Sequence, residues 1–592
     1  MMVLYPAPVA GARKSSKRIG TGSGAGRARK PRAQPPAKQT ARKSAEPSTG
    51  ARALTDQLEA LGVEVVFGIP GVHNLAIFDA LERSTIHTIV VRHEQTAVYA
   101  ADGYARATGR LGVAITTTGP GAANTAGAMG EAHASRSPVL QISTQSESRL
   151  LEGKSGRFSL HESPHQRELM DAVTRWSATV STGEAIPTLV LRGAREAFAG
   201  RRGPAFLEIP HDFLSAPVRW RAQAPLKERA LPPEPIAVER ALRVLQNAKR
   251  AVIWAGGGAV SAGAADLLTK VAETLDAPVV TTYAAKGLLE PDHPLLVGFP
   301  PHQPEVTKLL SSSDAILIVG SDLDGMNTEG WRIPLPRPRV SINTVAEDSR
   351  RNYASDVVVE ADARVALEAI LPALSARKAN GARRVAELRK AADKSLRDNK
   401  EFVAPYRFVQ AVAGAVPANA VVVADMAVAG YWLGAYYRAP QVRSFQYPLG
   451  WGTLGFGLPA AVGAAASGRR TLAVCGDAGL LFAAGELATA VQEKLPLTIL
   501  VVNDEGYGML RFDEEERFGR TFAADLATPD FVTLAKAFGI QARTCTPKDV
   551  GDALAWGFKQ KGPALIEMRA RFTPPLTTSP RWPLKGKKEA RP

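Results

Sequence analysis

The chain has 592 residues, several times the roughly 100 to 200 residues of a single domain, so we expect about three folded units. Hydrophobic residues make up 45% and charged residues 22%, and no apolar run approaches the roughly 18 residues of a membrane span, which excludes a membrane protein. The only cysteines, Cys475 and Cys545, exclude a disulfide framework, a zinc ribbon and an iron–sulfur cluster, and they favour a reducing, cytoplasmic location.

The two ends of the chain carry most of its net charge of +16. Residues 1–50 contain eleven Lys and Arg against one acid, Glu46, and residues 576–592 contain five against Glu589. Because almost nothing in residues 1–50 is apolar after Val9, we predict a disordered basic tail there, and we predict a second basic tail over residues 573–592. The first tail has three interpretations: a solvated segment, an organelle transit peptide, or a segment that contacts nucleic acid.

Between the tails, short β-branched runs alternate with helical patterns in three segments of similar length. This alternation predicts α/β domains, each with a doubly wound parallel sheet, over residues 51–218, 236–374 and 403–572. A Pro-rich stretch, Ala224–Pro235, and a charged, helix-prone stretch, Ala376–Lys400, are the predicted linkers. The similar lengths suggest that one architecture is used three times.

In the first segment, a carboxylate lies where a strand meets a helix. Glu94 follows the apolar run Ile89–Val91 and precedes the Ala-rich helical pattern Thr96–Ala107. Glycine-rich turns, Gly68–Gly71 and Thr118–Asn124, follow the neighbouring strands. An acid in the first turn of a helix also interacts favourably with the helix dipole, so this position alone does not specify a function.

In the third segment, two strands end in carboxylates and glycines. Cys475–Gly479 follows one apolar strand and precedes a helix expected from about Ala483, and Val501–Gly508 holds the end of the next strand. Parallel strands deliver their carboxyl ends to one edge of a sheet, a position suited to anions. Asp477, Asp504 and a backbone carbonyl near Gly506 then offer oxygen ligands to one hard cation, which predicts magnesium holding a diphosphate.

The order and spacing of the motifs resemble those of the thiamine-diphosphate-dependent 2-oxo acid decarboxylases and acetohydroxyacid (acetolactate) synthases. The matching stretches are Val66–Gly71, Arg92–Gln95, Ala101–Arg106, Gly119–Ala122, Gly452–Ala460 and the two strand ends within Gly476–Gly508. The resemblance covers residues 50 to 572. It implies a pyrimidine-binding domain, a central domain and a diphosphate-binding domain, in that order.

The resemblance also implies roles for individual residues. Glu94 corresponds to the carboxylate that hydrogen-bonds the aminopyrimidine of thiamine and promotes proton exchange, which a semi-buried carboxylate suits. Leu454 corresponds to the apolar side chain that wedges between the two rings of the cofactor. The other implied cofactor-binding residues are Pro70, Gly452, Gly476, Asp477, Ala478, Gly479, Asp504, Gly506, Tyr507 and Gly508, of which Asp477, Asp504 and Gly506 bind Mg²⁺.

Two further residues are candidate catalytic groups by resemblance. His73 follows the Pro70–Gly71 turn, where carboligases and lyases of the benzaldehyde-lyase kind can carry a histidine facing the reaction centre. An ordinary hydrogen-bonded histidine at the start of a helix is the alternative. Gln166 corresponds to a family glutamine near the active site, and a polar loop residue is the alternative.

The sequence departs from the family pattern at several positions. Ala478 replaces a glycine and Asp504 replaces an asparagine, but both changes keep the oxygen ligands. Asp425 is followed by Met-Ala-Val-Ala, where the synthases carry Gln and His. Gly320–Gly325 replaces the Arg-containing flavin motif. We therefore expect no FAD, and the missing motif argues against a biosynthetic acetohydroxyacid synthase.

Two other motifs have simpler interpretations. His161–His165 spells the H-E-x-x-H string of zinc proteases, but Pro164 is incompatible with the helical turn that this chemistry needs. Gly256–Gly258 does not continue into a dinucleotide-binding motif, because position 261 is Ser.

We therefore predict an enzyme that decarboxylates a 2-oxo acid with thiamine diphosphate and Mg²⁺, followed by carboligation to a second carbonyl or by release of an aldehyde. The first alternative is a thiamine-dependent C–C lyase or hydrolase of the benzaldehyde-lyase kind. The second is a non-catalytic protein whose basic tails bind nucleic acid. The resemblance further implies a homodimer or homotetramer, because the two halves of each cofactor site come from different subunits.

Overall fold

The computed structural model describes residues 48–151, 159–224, 230–576 and 578. Most of both predicted basic tails, including residues 1–47, lies outside these ranges. Residues 48–50, which the sequence assigned to the first tail, belong to the folded domain. Ser48 and Thr49 pair with Val218 and Pro217 in a short antiparallel sheet, and Gly50 begins a helix.

The first domain is built on a six-stranded parallel sheet of order β3-β2-β4-β5-β7-β6. Its strands are β1 (Ser48–Thr49), β2 (Val65–Gly68), β3 (His87–Val90), β4 (Gly112–Thr116), β5 (Val139–Gln145), β6 (Trp176–Thr179), β7 (Ala205–Pro210) and β8 (Pro217–Val218). Its helices are α1 (Gly50–Ala60), α2 (Leu75–Glu82), α3 (Glu94–Thr108), α4 (Pro120–Ala123), α5 (Ala126–Ala134), α6 (Ser148–Leu151), α7 (Gln166–Asp171), α8 (Ile186–Phe198) and α9 (His211–Ser215).

The central domain has a five-stranded parallel sheet of order β10-β9-β11-β12-β13. Its strands are β9 (Ala251–Ala255), β10 (Val279–Thr281), β11 (Ala315–Val319), β12 (Arg339–Asn343) and β13 (Val357–Glu360). Its helices are α10 (Pro235–Asn247), α11 (Gly257–Ser261), α12 (Ala265–Leu275), α13 (Pro304–Ser311) and α14 (Ala363–Ile370). The predicted charged linker contains the helix α15 (Gly381–Asp398).

The third domain repeats the six-stranded order, β15-β14-β16-β17-β19-β18. Its strands are β14 (Val421–Ala424), β15 (Phe445–Gln446), β16 (Thr471–Gly476), β17 (Leu497–Asn503), β18 (Gln541–Cys545) and β19 (Ala564–Arg569). Its helices are α16 (Val403–Ala415), α17 (Val428–Tyr436), α18 (Gly457–Ala466), α19 (Asp477–Leu481), α20 (Glu486–Gln492), α21 (Gly508–Phe518), α22 (Phe531–Ala537) and α23 (Val550–Gly557).

The three parallel sheets confirm the predicted α/β class and the repeated architecture. Every residue of the inner strands β4, β5, β16 and β17 is buried. Strands covered by helices on both faces are apolar along their length, which is why these runs lack alternation. Within the described ranges, no helix is long and apolar enough to cross a membrane.

The first and third domains are joined by the close packing of α3 against α18. A Cβ atom at Gly103 would lie 2.0 Å from the carbonyl oxygen of Ala460, and one at Gly463 would lie 1.8 Å from that of Ala100. Only glycine allows the two backbones to approach this closely. This contact fixes the start of α3 relative to the third domain.

Candidate active site

A cavity of about 130 Å³ lies at the carboxyl ends of the inner strands of the third domain. The turns after β14, β16, β17 and β19 line it. Among its lining residues are nine that the sequence predicted to bind the cofactor: Leu454, Gly476, Asp477, Ala478, Gly479, Asp504, Gly506, Tyr507 and Gly508. Gly452 lies two residues before Leu454 and is not part of the lining described for this cavity.

Asp477 and Asp504 form a pair of repelling carboxylates in this cavity. Burial raises the pKa of Asp477 above its ordinary value, and burial together with the charge of Asp477 raises the pKa of Asp504 to about 7. Arg511 Nη1, 4.0 Å from Asp504 Oδ2, offsets part of this repulsion. The pair therefore needs additional positive charge to hold both carboxylates ionised.

The donors around the pair fit a magnesium ion. Asp477 Oδ2 accepts a hydrogen bond of 2.9 Å from the Gly506 N–H, whereas its buried Oδ1 has no hydrogen-bond partner among the described residues. The described part of the chain holds no group of three or more His, Cys, Asp or Glu side chains able to bind a metal. Two carboxylates suffice for Mg²⁺, which normally takes its remaining ligands from water and phosphate oxygens.

Two details of this edge differ from the sequence prediction. The helix after β16 begins at Asp477 itself, so the start predicted near Ala483 is wrong. Asp425 follows strand β14. From the sequence, it was recognised only as the residue before the place where the family carries Gln and His. It is buried, its Oδ1 accepts a 2.8 Å hydrogen bond from the Met426 N–H, and burial raises its pKa to about 6. A Cβ atom at Gly479 would lie 2.5 Å from Asp425 Oδ2.

The remaining wall of the cavity is mostly apolar. Leu454 projects from the turn before α18, and the segment that replaces the family's Gln and His contributes Val428 and Ala429. The other lining residues are Met426, Ala427, Tyr431, Val502, Met509, Leu510, Ala570 and Phe572. The described lining contains no Lys, Arg or His, so its only charged groups are the two aspartates.

Glu94 lies at the carboxyl edge of the first domain's sheet, as predicted. It is the first residue of α3, is half-buried, and its Oε2 accepts a hydrogen bond of 3.0 Å from Asn124 Nδ2. Two residues earlier, the Arg92 N–H donates to Oε1 of the buried Glu486 in the third domain, at 3.0 Å. The turns after β2 and β4 flank this position because the three strands are neighbours in the order β3-β2-β4.

The Pro70–Gly71 turn is held by a residue that the sequence did not single out. The Gly71 N–H donates to Asn74 Oδ1 at 2.6 Å, and Asn74 Nδ2 donates to the Ile69 carbonyl at 3.1 Å. The Asn74 side chain is fully buried, so it fixes the turn from inside. Pro70 itself is exposed at the same edge as Glu94.

Gln166 is buried and its amide is fully engaged. Its Oε1 accepts from the Gly119 N–H at 2.8 Å, and its Nε2 donates to the Thr144 carbonyl at 3.0 Å and to Glu208 Oε2 at 2.9 Å. Burial raises the pKa of Glu208. These contacts give Gln166 the role of a positioning residue for the turn after β4.

His73 lies in a cluster of three imidazoles. Its ring stacks on that of His211, with centroids 4.8 Å apart and planes 9° apart, and it meets the edge of His161 at 5.4 Å. The sequence connected His161 only with the H-E-x-x-H string, and the non-helical segment before α7 confirms that this match is accidental. Burial, and then the charges of His211 and His161, lower the pKa of His73.

Among the described residues, the cavity around Asp477 and Asp504 does not extend to the residues predicted on the first domain. The described lining around Asp477 and Asp504 includes none of Pro70, His73 and Glu94. The residues predicted to hold the two ends of the cofactor therefore form two separate half-sites, one on each outer domain.

Comparison with known proteins matches this division. Thiamine pyrophosphate is another name for thiamine diphosphate. The model of the N-terminal binding domain of thiamine pyrophosphate enzymes matches residues 48–172. The central-domain model matches residues 238–370, and the C-terminal binding-domain model matches residues 425–568. The chain belongs to the thiamine pyrophosphate enzyme family. The predicted family, fold and dependence on thiamine diphosphate are confirmed.

Relatives that align with most of this chain are named either as a 2-oxo acid decarboxylase or as acetolactate synthases. A probable 2-ketoarginine decarboxylase, AruI, from Pseudomonas aeruginosa is 37% identical over 537 residues, which cover 88% of this chain and 94% of the relative. An acetolactate synthase from Bacillus subtilis is 29% identical over 548 residues, covering 90% and 95%. A probable acetolactate synthase large subunit from Methanocaldococcus jannaschii is 29% identical over 544 residues, covering 88% and 91%. These matches confirm the predicted resemblance to 2-oxo acid decarboxylases and acetolactate synthases, and with it the prediction of an enzyme.

Proposed function

We propose that this enzyme uses thiamine diphosphate and Mg²⁺ to decarboxylate a 2-oxo acid, and that release of an aldehyde is its main outcome. The observation that carries the proposal is the Asp477–Asp504 pair in a cavity at the strand ends, where burial raises the pKa of both carboxyls and the charge of Asp477 raises that of Asp504 further. A bound divalent cation removes this repulsion and attracts the diphosphate.

Each half-site then has a distinct task. Asp477, Asp504 and the Gly506 carbonyl would hold Mg²⁺, Leu454 would lie against the cofactor rings, and Glu94 would hold or release a proton at its carboxylate beside the pyrimidine. When bound, thiamine diphosphate supplies the nucleophilic carbon and the electron sink that decarboxylation requires. Asn124, hydrogen-bonded to Glu94 Oε2, orients that carboxylate, and the apolar wall of the cavity excludes water from the reacting carbon.

The first substrate class to test is a 2-oxo acid with a guanidino side chain. The relative with 37% identity is named for such a substrate, 2-ketoarginine, whereas the relatives named as acetolactate synthases described above are 29% identical.

A substrate panel tests the proposal. The purified full chain, with thiamine diphosphate and Mg²⁺, is given 5-guanidino-2-oxopentanoate, pyruvate, a branched and an aromatic 2-oxo acid, and CO₂ and organic products are identified by mass spectrometry. We expect CO₂ and 4-guanidinobutanal from the first acid and about a thousandfold lower turnover in Glu94→Gln. Absence of CO₂ release from all four acids would contradict the proposal.

The second candidate outcome is carboligation. The relatives named as acetolactate synthases support it, and in the same panel it predicts a 2-hydroxy-2-methyl-3-oxo acid from two molecules of pyruvate. The position of His73 at the edge that carries Glu94 supports the lyase alternative, which predicts cleavage of a 2-hydroxy ketone without loss of CO₂. Each outcome gives a different product from the same enzyme preparation.

We further propose a two-fold symmetric homodimer, alone or paired into a tetramer, in which the first domain of each chain covers the third domain of its partner. Large apolar side chains beside both half-sites support it. Val72 and Leu75 next to His73 are 60% and 55% exposed, and Phe482 behind Asp477 is 59% exposed. Such patches are typical of interfaces. Light scattering coupled to size exclusion tests it, and a monomer at micromolar concentration would contradict it.

Two narrower proposals complete this function. We propose that the enzyme contains no flavin, which is supported by the absence of the Arg-containing motif from Gly320–Gly325 and is tested by the visible spectrum of the purified protein. We also propose a cytoplasmic location, which fits the two free cysteines. Imaging of the tagged full chain tests it, and targeting to an organelle through the basic first tail is the alternative outcome.

A further inference from the structure

The segment that carries Leu454 has little hydrogen bonding of its own. It comprises residues 447–456, between β15 and α18, and belongs to neither a helix nor a strand. Within it, the described structure contains one backbone–backbone hydrogen bond, from the Leu449 N–H to the Tyr447 carbonyl at 3.0 Å. Backbone groups that do not pair with each other must be held by other parts of the molecule. The position of Leu454 therefore depends on contacts from outside the segment.

Two side chains of the first domain supply such contacts. Arg106, in the last turn of α3, donates from Nη1 to the Tyr447 carbonyl at 3.1 Å. Glu131, in α5, accepts from the Gly450 N–H at 3.3 Å through Oε1 and from the Trp451 N–H at 2.8 Å through Oε2. Both carboxylate oxygens of Glu131 thus engage backbone N–H groups of the segment.

Asp102, Arg106 and Glu131 form a buried ionic cluster with one more acid than base. Arg106 contacts Asp102 through Nε at 2.7 Å and through Nη2 at 2.6 Å, and it contacts Glu131 at 3.4 Å. The side chains of both acids are fully buried. Burial opposes the charge of Arg106, but the two acids together raise its pKa above the ordinary value. These three side chains retain one excess negative charge, which the N–H groups of the segment stabilise.

Two glycines allow the first domain and the segment to approach this closely. A Cβ atom at Gly130 would lie 2.4 Å from the ring of Trp451. One at Gly450 would lie 2.8 Å from Ala134 Cβ and 3.0 Å from Glu131 Oε1. Neither glycine has a positive φ, so close contact and not backbone conformation excludes a side chain at these positions.

The other end of the segment is held mainly within the third domain. Burial raises the pKa of Asp425, and the backbone N–H groups at the start of α18, which lie close to its carboxylate, oppose that rise. The Arg106 guanidinium also reaches this end, since it lies 4.9 Å from the centroid of the Phe456 ring. Leu454 lies between the two ends, so it moves if either is released.

We propose that Arg106 and Glu131 are positioning residues that hold Leu454 in place for the rings of thiamine diphosphate, with Asp102 fixing the Arg106 guanidinium. This inference rests on the role proposed for Leu454. It gives the Ala101–Arg106 motif of the first domain a task in the third domain of the same chain. The ionic cluster acts through the backbone, because none of its three side chains belongs to the described lining of the cavity.

Hydrogen exchange of the chain without cofactor tests the contacts. Glu131→Gln keeps the size of the side chain but removes its charge, so its hydrogen bonds to the segment weaken. We expect the Gly450 and Trp451 amides, followed by mass spectrometry, to exchange about tenfold faster than in the wild type. Asp348→Asn is the matched control, because this buried acid pairs with Arg351 of the central domain at 2.8 Å. Exchange in the segment should not change in the control.

Arg106→Lys tests the second contact. Lysine keeps the positive charge of the cluster, but it lacks the planar fork that reaches both Asp102 and the Tyr447 carbonyl. We expect exchange in the segment to rise about threefold, less than in Glu131→Gln, because the contacts of Glu131 with the segment remain.

Calorimetry separates the rings of the cofactor from its diphosphate. Because Leu454 is proposed to meet only the rings, Glu131→Gln should lower the affinity for thiamine diphosphate with Mg²⁺ about threefold to tenfold. Affinity for inorganic pyrophosphate with Mg²⁺ should stay within about twofold of the wild type, since Asp477 and Asp504 are unchanged. With saturating cofactor, kcat should fall about tenfold to a hundredfold at an unchanged KM for the 2-oxo acid. A purely structural role would lower both affinities together.

Gly130→Ala displaces the segment without changing any charge. Its methyl group meets the Trp451 ring, so we expect the same pattern of faster exchange and selective loss of affinity for thiamine diphosphate. Gly127→Ala, on the same helix with open space around its Cβ position, is the matched control. This pair keeps the test decisive if Glu131→Gln does not fold.

Unchanged exchange in the segment in Glu131→Gln, Arg106→Lys and Gly130→Ala would overturn the proposal. Equal losses of affinity for thiamine diphosphate and pyrophosphate in Glu131→Gln would overturn it as well. A wild type that converts no 2-oxo acid contradicts the proposed function instead, and the exchange measurements still test the contacts that hold the segment.

Discussion

The first and third domains share one strand order but differ in the chemistry at the carboxyl ends of their strands. In the third domain, an aspartate follows the first, third and fourth strands in chain order. These aspartates are Asp425 after β14, Asp477 after β16 and Asp504 after β17. At the corresponding positions, the first domain has glycine-containing turns after β2 and β4 and Ser146 after β5, and its carboxylate Glu94 follows the second strand instead. One fold thus supplies a buried anionic pocket on one domain and a half-buried carboxylate at the strand edge of the other.

Because of this difference, we expect the two half-sites to respond differently to substitution. Carboxylates that are buried together need a cation, so their loss should weaken binding of the cofactor. A half-buried carboxylate that exchanges a proton is needed when the substrate reacts, so its loss should affect turnover more than binding.

The largest expected effect comes from Glu94→Gln on the first domain. Because the amide cannot exchange the proton, we expect turnover to fall about a thousandfold, within the range of general acid–base catalysis. Calorimetric affinity for thiamine diphosphate with Mg²⁺ should change little. Glu82→Gln, on the exposed face of α2, is the matched control. A variant that loses affinity and turnover in equal proportion would remove the distinction between the half-sites.

On the third domain, Asp477→Ala is expected to weaken binding. Loss of one of two anionic ligands should lower the affinity for Mg²⁺ and thiamine diphosphate about a hundredfold. The same titration with Asp552→Ala, at an exposed acid of α23, should match the wild type. Unchanged affinity in Asp477→Ala would show that the buried pair does not bind the metal.

The contact that holds the two domains together can be weakened at Gly463. A methyl group there would lie 1.8 Å from the Ala100 carbonyl oxygen, so Gly463→Ala must separate α3 from α18. Overpacking of this kind costs about 1–3 kcal/mol, and each kcal/mol lowers Tm by about 2–4 °C in a domain of this size. Gly414→Ala, with open space around its Cβ position, is the control for differential scanning calorimetry. Equal Tm values for the two variants would contradict the close approach.

The last prediction concerns how stability depends on pH at the contact between the third and central domains. This contact buries an amine, whereas the contact between α3 and α18 is made by small residues. Lys286 Nζ donates to the carbonyls of Ala435 at 3.3 Å and Tyr437 at 2.8 Å. Burial, and then the charge of Arg438, lower its pKa from 10.5 to about 7. Between these values the unfolded chain binds more protons than the folded chain, so stability should rise with pH across this window and fall as pH returns to 7.

Calorimetric Tm values at several pH values check this sign. The wild type should gain Tm relative to Lys286→Met as pH rises from 7 towards 10. Lys270→Met, at an exposed lysine of α12, should show the slope of the wild type. A parallel pH dependence in Lys286→Met and the wild type would mean that Lys286 stays charged in the folded protein.

The sequence was sufficient wherever function depends on strand order. Asp477, Asp504 and Glu94 were predictable because each follows an apolar strand, and parallel strands end at one edge. It was insufficient where function depends on distant segments. His161 and His211 approach His73 only after folding, and the burial of Asp425 arises from packing against Gly479. The hydrogen bonds of Gln166 to three separate segments likewise have no local pattern in the sequence.

The composite nature of the active site is tested most directly by mixing two inactive chains. Glu94→Gln and Asp477→Ala chains are co-expressed in equal amounts with different tags, and the enzyme carrying both tags is compared with each parent. If each site combines the first domain of one chain with the third domain of its partner, every mixed dimer regains one intact site, and the unfractionated mixture should reach about a quarter of wild-type activity. If mixed dimers form and show no more activity than the parents, the two half-sites do not act together across chains.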